Sequence, residues 1–199
     1  MDKVSFSYGN NGNGNNLTDI NSNIKKGEVI LLCGESGCGK TTMTRFFNGL
    51  IPNFFDGKRE GEVYLNDKSV SKLPIYEISE HIGSVFQNPK TQFFNVDTTS
   101  ELVFGCENLG FEENEIKNRL KSVVNDFDLK QLLDKNIFKL SGGEKQKIAC
   151  ASVSATFPEI LVLDEPSSNL DSQSSWNLED IIKKWKSQGK TVLNQIGRA

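Results

Sequence analysis

Hydrophobic and polar positions alternate at the start of the chain. Residues 3–8 ("KVSFSY") read as one strand and residues 17–24 ("LTDINSNI") as another, with the Gly/Asn run of 9–16 between them as the turn of an antiparallel hairpin. The pattern changes at 28–33. "EVILLC" is short and almost wholly apolar, which predicts a strand buried on both faces of a parallel sheet, and a glycine-rich turn and a helical stretch to about Leu50 follow it. "GEVYLN" and "HIGSVFQ" add strand-like segments. From Thr98 to Ala155 the period is helical: Ile116, Leu120, Val123, Val124 and Phe127 recur at i, i+4, i+7, i+8 and i+11 and mark one apolar face. "EILVLDE" (159–165) reads as a second buried strand. Leu178, Ile181, Ile182 and Trp185 then stripe a helix that Gly189 can cap before the strand "KTVL". This order predicts an α/β fold, a parallel-sheet core preceded by a β hairpin and interrupted by helices. Asn194 and Gln195 turn the last strand polar and are expected to break it.

The length of 199 residues is that of one domain with a sizeable core. A formal charge of −3 gives no general attraction to nucleic acid or anionic lipid, and the Lys183, Lys184, Lys186 run reads as a solvated helix face. Cys33, Cys38, Cys106 and Cys150 include no C-x-x-C pair and no metal-ligand spacing, so neither a disulfide framework nor a zinc site is expected. The longest apolar runs, such as "VILLC" and "ILVL", fall far short of the ~20 residues that span a bilayer. The start has no signal-peptide pattern. His81 precedes a strand and reads as structural.

The strongest chemical signal is "GESGCGKTT", residues 34–42, which matches G-x-x-x-x-G-K-[ST] between a strand and a helix. Gly34, Gly37 and Gly39 allow the backbone to turn its N–H groups inward, and Glu35, Ser36 and Cys38 complete that nest at the positive end of the following helix. A polyphosphate fits there. Lys40 would reach the β- and γ-phosphates, the Thr41 hydroxyl would ligate Mg²⁺, and Thr42 could donate to the α-phosphate. Asp164 and Glu165 directly follow "ILVL", at the carboxyl end of a parallel sheet, where such sheets bind ligands. Asp164 suits the Mg²⁺ shell and Glu165 a general base for water attacking the γ-phosphate.

"LSGGEKQK" (140–147) offers a second nest, with Ser141, Gly142 and Gly143 ahead of a helix, although read alone it is an ordinary helix cap. A symmetric pair of chains could use both nests by sandwiching two nucleotides across an isologous interface. "GESGCGKTT", "FQNP", "LSGGEKQK" and "LVLDEPSSNLD", in this order, resemble the ATP-binding subunits of ABC transporters over nearly the whole chain. The resemblance implies a RecA-like P-loop NTPase core (28–89 and 157–199), an N-terminal hairpin (1–27) and an inserted helical subdomain (90–156) within one domain. It assigns Gln87 to the loop that senses Mg²⁺ and the membrane partner, Ser141 to Gly143 to the γ-phosphate of the opposite subunit, and Ser168 to Asp171 to the dimer contact. Tyr8, otherwise a core aromatic, would stack on adenine.

Residues 48–57 ("NGLIPNFFDG") and 83–110 resemble the ATPases of energy-coupling-factor importers, which take up vitamins or transition-metal ions. That resemblance implies ATP and Mg²⁺ as cofactors. The implied partners are a second ATPase, a copy or a paralogue, and a transmembrane subunit that holds the protein peripherally at the cytoplasmic face of the membrane. An ABC ATPase acting on ribosomes or DNA is the alternative within the family, but such proteins usually carry tandem ATPase domains or basic surfaces. Family members carry a histidine after the last core strand, in a pattern like "TVLIAEHR", and Gly197 falls at that position. The last six residues therefore read as a foreign tail on a shortened domain, and a module that binds ATP with little hydrolysis is the alternative for this chain.

Overall fold

The computed structural model describes residues 1–9, 17–167 and 172–197, with residues 172–177 described by backbone alone. The alternating segments pair antiparallel, β1 (Asp2–Tyr8) with β2 (Leu17–Ile20) and Phe6 opposite Leu17, but the second strand, expected over 17–24, ends at Ile20. β3 (Val29–Leu32) runs into the glycine-rich loop, α1 (Lys40–Phe47) and the short α2 (Leu50–Asn53). β4 (Gly57–Glu62) then returns to the free edge of β1, so the hairpin becomes a three-stranded sheet in the order β2-β1-β4. "GEVYLN" is not one strand. Gly61 and Glu62 end β4, whereas β5 (Tyr64–Leu65) pairs with β6 (Lys68–Ser69) in a separate small hairpin.

α3 (Ile75–His81) leads into β7 (Ile82–Val85), and α4 (Thr98–Asn108), α5 (Glu113–Asp126) and α6 (Gly142–Ala155) follow before β8 (Ile160–Asp164), α7 (Ser172–Ser187) and β9 (Thr191–Gln195). Among the described residues the second sheet is wholly parallel, in the order β3-β9-β8-β7. Successive residues of a strand face opposite sides. On β8 and β9, Leu161, Leu163 and Val192 enter a core with α4 to α7, whereas Val162 and Leu193 enter a second core with α1 and the N-terminal sheet. Val123, Val124, Phe127, Leu178 and Trp185 from the helical stripes are buried in the first core, and Ile116, Leu120, Ile181 and Ile182 pack against it.

Two further expectations are corrected. β3 is not buried on both faces: Ile30 and Leu32 pack on the second core, but Val29 and Leu31 are 38% and 53% exposed. Among the described residues β3 is an edge strand. Nor does β9 break at its polar residues. Asn194 pairs with Leu31 and Leu163, and Gln195 with Leu32 and Asp164, because strand continuity rests on backbone bonds to both neighbours. His81 lies at the opposite end of the sheet from the loops after β3 and β8, with Nδ1 3.7 Å from Glu159.

Candidate functional site

The loops after β3 and β8 and the end of β9 converge at the carboxyl edge of the parallel sheet. Gly37 (φ 82°) and Gly39 (φ 97°) adopt left-handed backbone, which turns the chain into α1 without a side-chain cap, leaving the first-turn N–H groups directed outward for an anion. A Cβ on Gly34 would stand 2.7 Å from Cys38 Sγ. Lys40, 8% exposed, folds back into the loop, where Nζ donates to the carbonyls of Gly34 (3.0 Å) and Glu35 (2.9 Å). Its charge is thereby held where loop and helix meet. Ser36 and Cys38 are exposed on the loop.

Thr41, in the first turn of α1, donates its hydroxyl to Asp164 Oδ1 (3.3 Å) and accepts from Gln195 Nε2 (3.2 Å). Glu165 follows in left-handed backbone (φ 47°), a conformation that costs a non-glycine residue on the order of 1–3 kcal/mol and is held here by its N–H on Gln195 O (3.1 Å). Two carboxamides grip its carboxylate: Gln87 Nε2 at Oε2 (3.0 Å) and Gln195 Nε2 at Oε1 (3.3 Å). Burial, ahead of all other effects, pushes the Asp164 carboxyl above its usual range; neighbouring Glu165 adds to this, while the Thr41 hydroxyl, Arg45 and Lys40 oppose it.

Tyr8 reaches the site from the N-terminal sheet. Its hydroxyl donates to Thr42 (3.2 Å) and accepts from Arg45 Nη1 (2.9 Å), its ring meets Phe6 edge-on, and Arg45 lies over Phe55 at 4.0 Å from the ring centroid. Ser141, Gly142 and Gly143 stand apart, and no described hydrogen bond joins them to this network. They open α6 with a reciprocal cap in which Glu144 N–H donates to Ser141 Oγ (3.2 Å) and Ser141 N–H to Glu144 Oε2 (2.8 Å). Those bonds, led by the Ser141 backbone donor, hold the Glu144 carboxyl below its usual range. Ser168 to Asp171 lie outside the described residues.

Gln195 and Arg45 are site residues that sequence reasoning missed. The signal for Gln195 was present: it follows Leu193 by two, so a continuous strand aims it at the α1 side of the sheet. It is 1% exposed, and its Oε1 has no hydrogen-bond partner among the described residues, at a cost of about 1–3 kcal/mol in an isolated site. The Thr41 hydroxyl and the Asp164 carboxylate, 3.3 Å apart at an uncapped helix terminus, are hard oxygen donors beside an anion site, which fits a hydrated divalent cation with a polyphosphate. Among the described residues there is no cluster of three or more His, Cys, Asp or Glu, so an all-protein metal cage is not the pattern.

The sequence model described as "ABC transporter" matches residues 17–168. A Treponema denticola protein named among the ABC transporter ATP-binding proteins is 54% identical over 190 residues; these are 96% of this chain but only 39% of that protein's length. A similarly named Pyrococcus abyssi protein is 42% identical over 196 residues, which cover 97% of this chain and 69% of the relative. Among solved structures, cbiO1 of Clostridium perfringens, described as part of the ABC transporter complex cbiONQ, superposes with a TM-score of 0.80 at 29% identity, covering 98% of this chain and 78% of that one. The ATP-binding cassette MJ0796, solved as a dimer in a post-hydrolysis state with ADP and Pi, also gives a TM-score of 0.80, at 25% identity over 99% of this chain and 87% of that one. By its motifs, its fold and a family match spanning most of its length, this chain belongs to the ABC transporter family.

Proposed function

We propose that the chain binds MgATP and hydrolyses it as the motor of an ABC importer of the energy-coupling-factor type. The observation that carries this reading is the network in which Thr41 and Asp164 meet beside the phosphate loop while Gln87 and Gln195 hold Glu165 next to them. Lys40 and the N–H groups of residues 34–42 take the β- and γ-phosphates. Thr41 and Asp164 hold Mg²⁺, which when bound neutralises charge developing on the transferred phosphoryl group. Glu165 accepts the proton of the attacking water, and Gln87 orients it. Tyr8, held by Thr42 and Arg45, bounds the adenine end, and Ser141 to Gly143 serve the γ-phosphate of a second ATPase subunit, which is a copy or a paralogue.

The likeness to cbiO1, described as part of the ABC transporter complex cbiONQ, supports assembly with further transporter subunits, and in this reading one of them is a transmembrane subunit that holds the chain at the cytoplasmic face. No helix among the described residues is long and apolar enough to cross a membrane, so the membrane contact in this reading runs through that partner. Single-turnover hydrolysis of MgATP is the test. Glu165→Gln should lower the rate by about 10²–10⁴-fold, the range of a general base, while ATP stays bound, and Lys40→Ala should lose nucleotide affinity. Equal rates for the natural chain and Glu165→Gln would remove the hydrolytic reading.

Gly197 favours a second reading, an ATP-binding module with little turnover. A Cβ there would stand 2.9 Å from Glu165 Oε1, so a side chain at 197 would reach the reacting centre, and glycine offers none. Gly197→His requires the Glu165 carboxylate, held by Gln87 and Gln195, to shift by a few tenths of an ångström. On this reading it raises single-turnover hydrolysis by about 10²-fold, the weight of one donor at a charged transition state.

A further inference from the structure

Residues 48–57 supply none of the phosphate or metal groups, yet Phe55 stands one contact from the site. Its N–H donates to the Leu50 carbonyl (3.2 Å), which fixes it at the end of α2, and the Arg45 guanidinium lies over its ring at 4.0 Å from the centroid. A guanidinium stacked on an aromatic face keeps its N–H fork in one plane. From there Nη1 donates to the Tyr8 hydroxyl (2.9 Å). Arginine has no acceptor, so that hydroxyl accepts here and its own proton goes to Thr42 Oγ1 (3.2 Å). Arg45 and Thr42 lie in the last and first turns of α1. The tip of Tyr8 is thus tied at two points to the helix whose N-terminus opens onto the phosphate loop, although Tyr8 belongs to the N-terminal sheet. Its ring stands nearly perpendicular to those of Phe6 and Phe55 (88° and 83°) and is half-buried, so part of its surface stays open to a ligand.

We infer that Arg45 and Phe55 are positioning residues for the base of the nucleotide: Phe55 orients Arg45, and Arg45, through the Tyr8 hydroxyl, holds the Tyr8 ring at a set place relative to the phosphate loop. This rests on the reading of the site as one for MgATP with Tyr8 at its adenine end. A stacking surface tied to α1 meets the base without first having to be ordered, and the ordering cost saved on binding appears as affinity. That gain belongs to the base alone. Arg45 also bears on Asp164 through its charge, but this acts on the phosphates and the cation whether or not a base is present. A comparison of ligands with and without a base therefore isolates the contact through Tyr8.

The experiment measures, in Mg²⁺, the affinity of the full chain for AMP-PNP, a non-hydrolysable ATP analogue, and for the same imidotriphosphate on ribose without the base, together with thermal unfolding in the absence of ligand. The natural chain should favour AMP-PNP. Arg45→Met keeps an unbranched stem against Phe55, and Tyr8→Phe keeps the ring. Each should reduce the ratio of the two affinities about fivefold, the weight of one hydrogen bond, and the double variant should reduce it no further. Phe55→Leu should lower the ratio and Phe55→Trp restore it, since tryptophan again offers the guanidinium an aromatic face. An unchanged ratio in Arg45→Met, losses that multiply in the double variant, or a Phe55→Trp chain no better than Phe55→Leu overturns the inference. Should Arg45→Met fail to fold, an unchanged ratio in Tyr8→Phe overturns it as well. A natural chain that binds both ligands alike has no base subsite, and the inference falls with it. One that binds neither fails the functional reading itself, a result distinct from variants that match a binding-competent parent.

Discussion

At Asp164 burial and the neighbouring cations pull the carboxyl in opposite directions. Burial raises its carboxyl above the ordinary value more than Thr41, Arg45 and Lys40 lower it. The sign follows directly: the folded state holds this proton more tightly than the unfolded chain, so Asp164 favours folding below its unfolded value and that contribution is lost as pH rises through its folded value. Asp164→Asn should thus raise the thermal midpoint at pH 7 in EDTA, with the gain shrinking as the pH is lowered toward the ordinary aspartate value. MgATP should stabilise the natural chain and not the variant. A variant less stable in EDTA at neutral pH would show that Asp164 is held mainly by its hydrogen bond to Thr41. Cysteines divide the same way by burial. Cys150 is pushed up to about 12 and Cys106 is also raised, both by desolvation, whereas Cys33 and Cys38 are exposed. Brief alkylation of the native chain at pH 8, read by peptide mass, should label Cys33 and Cys38 and spare the other two, since thiolates react.

Elements decide which of these residues meet. The loop of 34–42 and the Asp164–Glu165 pair were legible in the sequence because each is contiguous and its flanking apolar run gives its place at a strand end. Gln195 was not, because polarity in a terminal strand looks like its end unless the backbone bonds to β3 and β8 are known. The three-stranded N-terminal sheet was missed for a similar reason: β4, "GKREGE", has no apolar alternation and is a strand through its pairing with β1 alone. α6 was the easier element to read. Its start is fixed by the Ser141–Glu144 cap and by the buried Lys145, whose Nζ donates to the carbonyls of Phe138 and Leu140. Ser141→Ala should cost about 1 kcal/mol of unfolding free energy, measured by urea denaturation without nucleotide. If the hydroxyl instead serves only a nucleotide from the opposite subunit, the urea midpoint will not move and the loss will appear in ATP turnover alone.

At the scale of the molecule the open side of the parallel sheet stands out, because such sheets are ordinarily covered on both faces. One face of β3 packs on the N-terminal core through Ile30 and Leu32, and the other leaves Val29 and Leu31 exposed. Its outer backbone edge meets no strand among the described residues. Apolar edge strands with unpaired N–H and C=O groups are templates for association, and a net charge of −3 supplies little repulsion against it. A polypeptide of these 199 residues should therefore self-associate through β3 as its concentration rises, independently of any nucleotide-driven pairing. Leu31→Lys places a charge on the exposed face without altering the backbone that carries β3 into the phosphate loop. Sedimentation velocity without nucleotide should show the natural chain moving to larger species with concentration and Leu31→Lys remaining closer to the monomer, while AMP-PNP affinity stays within about twofold, as for a surface substitution away from the site. Identical sedimentation would place the association elsewhere. A large loss of nucleotide affinity would instead show that the exposed face of β3 helps to hold the loop.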